Sequence, residues 1–85
     1  MDYIKIKSIK DLDNAIAKGI HDYIIQIGIL RSSKDIRKTK DGFYQIYNYI
    51  DDAEQILSKE QIMDDNYTNI GRAMKSGSFY AEKIN

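Results

Sequence analysis

Ser33-Lys34-Asp35-Ile36-Arg37-Lys38-Thr39-Lys40-Asp41-Gly42-Phe43-Tyr44-Gln45-Ile46-Tyr47-Asn48-Tyr49-Ile50 is the stretch on which the fold turns. Asp41-Gly42 stands between a charged alternating run and an aromatic one, and both residues tolerate the positive φ that a tight hairpin needs. Two antiparallel strands are predicted, over 33–39 and 43–50. Just upstream, Tyr23 to Leu30 is nearly all apolar and β-branched. It predicts a central strand with Tyr23, Ile25, Ile27 and Ile29 on one side and Ile24, Gln26, Gly28 and Leu30 on the other. Just downstream, Asp51-Asp52 turns the chain into a short strand over 54–57.

Working outward, Tyr3 to Lys7 alternates with period two, placing Ile4 and Ile6 together and predicting a first strand. Ser8 can accept from the backbone N–H of Asp11, so a helix is expected over 9–18 with Ile9, Leu12, Ile16 and Ile20 as its apolar stripe and Gly19 as its left-handed stop. Ser58 with Gln61 makes a capping box for a brief helix that ends by Asp64. Thr68 opens a second short helix over 69–76, closed by Gly77, and 78–81 reads as an edge strand. The order is β-α-β-β-β-(β)-α-α-β. This is an α+β chain with a single small domain over 1–85, an antiparallel sheet carrying two to three short helices on one face.

Composition narrows the chemistry. At 85 residues the chain supports one core, and 42% apolar residues with seven Tyr argue against disorder. The absence of Cys excludes disulfides, thiolate zinc and a cysteine nucleophile, and a single His cannot build a histidine metal cage. No apolar run reaches the roughly 20 residues of a membrane span, and the first residues lack a signal-peptide pattern, so a soluble cytoplasmic protein is expected. His21 lacks a credible catalytic partner, and Ser32 or Ser33 would need a base and an oxyanion hole to act as a nucleophile. The acidic turns lack the alternating ligands and central Gly of a calcium loop. The chain therefore reads as a non-enzyme with no cofactor and no metal. Without a helix-turn-helix, zinc-finger or RNP-like motif, sequence-specific nucleic-acid binding is not expected either.

Zero net charge conceals a division. Residues 1–50 carry nine basic and six acidic side chains, whereas 51–66 carry one and six. The basic excess gathers in Arg31, Lys34, Arg37, Lys38 and Lys40. Arg31, Ser32, Ser33 and Lys34 together could hold a phosphate or other anion, Arg offering a fork, Lys a point charge and Ser hydroxyls the remaining contacts. A charged strand of this kind also serves to blunt a sheet edge against aggregation. The acidic stretch begins at Asp51, Asp52 and Glu54, beside Tyr47 and Tyr49, whose rings suit recognition because they combine area with a hydroxyl at low entropic cost.

Leu30-Arg31-Ser32-Ser33-Lys34, Ile50-Asp51-Asp52 with Glu54-Gln55, and Thr68-Asn69-Ile70-Gly71 running to Gly77 resemble a pattern found in small uncharacterised accessory proteins of phages and other mobile elements of low-GC bacteria. The resemblance covers much of 23–80 and brings no activity with it. It implies a context, in which such proteins bind and block host machinery, CRISPR effectors included, or sequester a nucleotide signal. The first expectation is an anti-defence, anti-CRISPR-like inhibitor that covers a surface of a host protein or defence complex through Asp51, Asp52, Glu54, Tyr47 and Tyr49. The second is a binder of a small anion or nucleotide through Arg31, Ser32, Ser33 and Lys34, completed across a homo-oligomer interface.

Overall fold

The computed structural model describes residues 2–82. Its elements run β1 (Tyr3–Lys5), α1 (Ile9–Ala17), β2 (Asp22–Ile27), β3 (Leu30–Lys38), β4 (Tyr44–Asn48), β5 (Ala53–Leu57), α2 (Lys59–Met63), α3 (Asn69–Ser76) and β6 (Phe79–Glu82). The strands form one sheet in the order β1-β6-β2-β3-β4-β5, and every neighbouring pair is antiparallel. Local signals place the helices as expected. The Ser8 side chain accepts from Asp11 N, Ser58 and Gln61 complete a reciprocal capping box, and Thr68 caps α3, which closes on Gly77 at φ +76°.

Four expectations need correction. The apolar run 23–30 is not one strand: it folds back at Gly28-Ile29, a two-residue turn that pairs Ile27 with Leu30. Gly28 takes φ +60° at the first central position, where two-residue hairpins favour glycine. Second, 79–82 is no edge strand. It lies between β1 and β2 and supplies the buried Phe79 and Ala81. Third, the charged strand is interior, flanked by β2 and β4, so its charges do not blunt an edge; the edges are β1 and β5. Fourth, the first strand stops at Lys5 rather than Lys7; Ile4, opposite Ala81, and Ile6 share the helix side as expected, Ile6 buried and Ile4 39% exposed.

A single core joins the three helices to one face of the sheet. It contains Leu12 and Ala15 from α1, Ile62 from α2, Ile70, Ala73 and Met74 from α3, and Tyr23, Ile25, Ile36, Tyr44, Ile46, Leu57, Phe79 and Ala81 from the strands. Two buried phenols keep their hydrogen bonds there. Tyr23 Oη donates to the Ile20 carbonyl at 2.7 Å, and Tyr44 Oη donates to Asp13 Oδ1 at 2.6 Å, tying α1 to β4. Lys38 adds an ion pair to the same carboxylate at 3.2 Å.

Burial holds the Tyr23 hydroxyl well above the ordinary tyrosine range, helped by Asp35 and Asp22, and raises that of Tyr44 with help from its bond to Asp13. Burial acts on Lys34 in the opposite direction, lowering its ammonium below the usual lysine value. Raised phenols give stability that is intact below the unfolded value of 10.0 and is lost as pH climbs above it. A lowered lysine gives the reverse slope, which ends at its unfolded value of 10.5. Above about pH 10.5 only the tyrosine slope persists. The urea midpoint should therefore fall steadily there, with part of the phenolate absorbance appearing only as the chain unfolds. A midpoint that stays flat while all seven tyrosines titrate together would contradict the buried phenols.

Candidate functional site: the helix-free face of the sheet

Alternation along each strand sends one set of side chains to the helices and leaves the other on an open face. The register groups the open set as Tyr3 and Lys5 on β1, Tyr80 and Glu82 on β6, and Asp22, Ile24 and Gln26 on β2. It continues through Arg31, Ser33, Asp35 and Arg37 on β3, Gln45 and Tyr47 on β4, and Glu54 and Ile56 on β5. This face has two poles.

At the β1–β6 pole, Arg31 Nη2 donates to Tyr3 Oη at 2.7 Å and its guanidinium lies 5.7 Å from the centre of that ring. The Tyr3 and Tyr80 rings meet edge to face at 6.3 Å, and Lys5 Nζ stands 5.9 Å from the Tyr80 ring centre. Tyr3, Tyr80, Arg31 and Gln26 line a shallow hollow with Ile24, which is 4% exposed, as a further wall. This pole is basic and aromatic.

The β4–β5 pole is acidic and aromatic. Tyr47 and Tyr49 pack edge to face at 5.2 Å. Tyr47 Oη donates to Asp52 Oδ1, and Tyr49 Oη donates to Asp22 Oδ1 at 3.3 Å. The bond to Asp52, then burial, raises the Tyr47 phenol; burial, then Asp22 and Asp35, raises that of Tyr49. Both hydroxyls thus stay protonated as donors to carboxylates. Asp52 reaches its position from a turn in which its own φ is +50°, a left-handed conformation that Asp tolerates better than most residues. Gln45 Nε2 donates to Glu54 Oε1 at 3.0 Å, and Arg37 Nε donates to Asp35 Oδ1 at 3.0 Å. Asp22, Asp35, Asp52 and Glu54 thus outnumber Arg37, the guanidinium among them.

Of the residues expected to meet a partner, the structure brings Tyr47, Tyr49, Asp52 and Glu54 together and separates Asp51. That side chain borders a hollow on the helix side, with Lys34, Asn48 and Asn69. Asp22, Asp35 and Gln45 belong to the patch and were not anticipated; the alternation of β2 to β4 carries them, but only once the register is known. The anion quartet is divided between the two faces, although Arg31, Ser32 and Lys34 all border one cleft at the end of the sheet. Arg31 and Ser33 lie on the open face, whereas Ser32 and Lys34 pair with Ile25 and Tyr23 on the helix side. Nor do Arg31 and Lys34 pair with Asp51 and Asp52: Arg31 engages Tyr3, and Lys34 Nζ donates to Asn48 Oδ1.

Among the described residues, no group of three His, Asp or Glu side chains could hold a metal ion, and none of the helices is long and apolar enough to cross a membrane. His21 Nδ1 is buried without a hydrogen-bond partner among the described residues. No protein-family model matches the chain, and comparisons with curated proteins and with solved structures give no match either.

Proposed function

We propose that this chain is a non-enzymatic protein-binding module that lays the Tyr47–Tyr49–Asp52–Glu54 end of its open sheet face on a basic surface of a protein partner. The carrying observation is the pair of tyrosine rings held edge to face, each hydroxyl bonded to a carboxylate. Rings held in place offer contact area without losing rotamer freedom on binding, and the surrounding acids speed encounter with a basic partner. The face offers area and charge. The resemblance to mobile-element accessory proteins supports host defence proteins as the first partners to test, with inhibition by covering a functional surface.

The test is affinity capture from host lysate containing defence complexes, followed by binding measurements on the purified pair. Tyr49→Ala is expected to weaken a stoichiometric complex by about tenfold or more, as a central aromatic anchor does. Glu54→Lys should slow association and reduce its salt dependence. Lys10→Glu, an exposed change on the helix side, should do neither. Binding that withstands both patch variants would overturn the assignment of this face.

A further inference from the structure

Independently of the open face, the helix side has a gap at the end of the sheet where the β2–β3 turn and the 49–52 turn meet the start of α3. There the helices leave aliphatic side chains uncovered: Ile27 is 48% exposed, Leu30 72% and Ile50 68%. With Ile25, Arg31, Ser32, Lys34 and Asn69 they border a cleft of about 260 Å³, the Arg31 guanidinium itself being turned to Tyr3 on the open face. Lys34 is the unusual member. It sits on an interior strand, is 9% exposed and faces the core side through its pairing with Tyr23.

A buried ammonium is costly unless an anion meets it. Here Nζ donates to a neutral amide oxygen, that of Asn48, and no carboxylate of the described residues lies within ion-pair distance of it. Asp51 acts on it only from further away. An ammonium carries three donors, so two remain to be satisfied after Asn48. Among the described residues the lining of the cleft contains no acid; Ser32 and Asn69 add neutral polar groups beside the ammonium, and Arg31, the other cation of the lining, has its guanidinium on Tyr3.

We propose that this cleft binds a small carboxylate on a short aliphatic chain, its carboxylate on Lys34 Nζ and its carbon body against Ile27, Leu30 and Ile50. Charge complementarity selects the anion, and the aliphatic walls select the body. With the Arg31 fork engaged by Tyr3, the Lys34 ammonium by itself matches a singly charged carboxylate better than a phosphate dianion, which is better served by several cations or an Arg fork. The cleft is smaller than the roughly 300–1,000 Å³ of sites for drug-sized ligands, so the chain has only a few carbons.

Hexanoate titrated into the ¹⁵N-labelled protein provides the test, with hexanamide and inorganic phosphate alongside. Saturable shifts are expected at Ile27, Leu30, Lys34 and Asn69, with hexanoate binding at least about tenfold more tightly than either control, as a charge-assisted bond requires. Lys34→Met keeps length and apolar character and should abolish the preference for acid over amide. Ile50→Asp, at an exposed turn position, should weaken hexanoate by repulsion without disturbing the core. Equal binding of acid and amide, equal binding of phosphate, an acid preference that survives Lys34→Met, or no saturable shift at these residues would each overturn the proposal.

Discussion

Phe79→Ala is expected to remove about 3–5 kcal/mol of folding free energy, the usual loss when a fully buried aromatic ring is truncated. Phe79 is 0% exposed, stacks on Tyr23 with ring centres 5.7 Å apart, and lies opposite Ile25 on the neighbouring strand. A cavity there would open where α3, β2 and β6 meet, and the paired backbones of two interior strands limit collapse into it. A domain of this length has roughly 4–13 kcal/mol in total. The variant should therefore be partly unfolded at the lower end of that range, and its thermal midpoint should fall by well over ten degrees, at about 4–8 °C per kcal/mol. Urea denaturation followed by circular dichroism measures the loss directly. A cost below about 1 kcal/mol would mean that the ring is not enclosed as described.

Gly71→Ala should be the second most damaging change, and its sign runs against helix propensity. In an exposed helix interior, alanine in place of glycine is favourable by about 1 kcal/mol. Here a Cβ on Gly71 would stand 2.8 Å from the carbonyl carbon and oxygen of Met63 and 2.9 Å from the carbonyl carbon of Asp64. These are backbone atoms at the end of α2, where Thr68 Oγ1 donates to the Ile62 carbonyl at 3.1 Å and accepts from Gly71 N at 2.9 Å. Nothing flexible can swing aside. The two helices must separate, and a net destabilisation of about 2 kcal/mol is expected from overpacking. Urea unfolding again provides the measurement. A stabilised Gly71→Ala variant would show that α2 and α3 do not approach this closely.

The features legible in the sequence were those that short spans encode. Ser8 with Asp11, Ser58 with Gln61, and Thr68 with Gly71 are contacts three residues apart, and Asp41-Gly42 marks a hairpin whose strands adjoin it in the chain. Strand order depends on pairings that span the chain. The alternation of Phe79, Tyr80 and Ala81 looks the same at an edge or in the middle, and only the partnership with Tyr3–Lys5 and with Tyr23–Ile25 distinguishes them. The tip at Gly28-Ile29 was hidden by its own isoleucine, which reads as strand and is 97% exposed. The candidate patch shows the same limit. Tyr47, Tyr49, Asp52 and Glu54 were within reach because a single hairpin carries them. The Arg31–Lys34 quartet divides between the two faces because a strand sends neighbouring residues to opposite ones, and Asp51 leaves the patch from the turn between β4 and β5.

The position of β6 constrains how the protein can be made. Until residues 79–82 leave the ribosome, β1 lacks its partner β6 and β2 presents one open side, so β1 waits for a strand made more than seventy residues after it. Closing that distance costs loop entropy before any ladder bond rewards it. The 30–57 meander, built from adjacent strands, can form early, whereas β1 joins last through a strand inserted beside it. An emerging chain therefore passes through a stage with an unpaired side on β2, the stage most exposed to strand exchange with another copy or to capture by a chaperone.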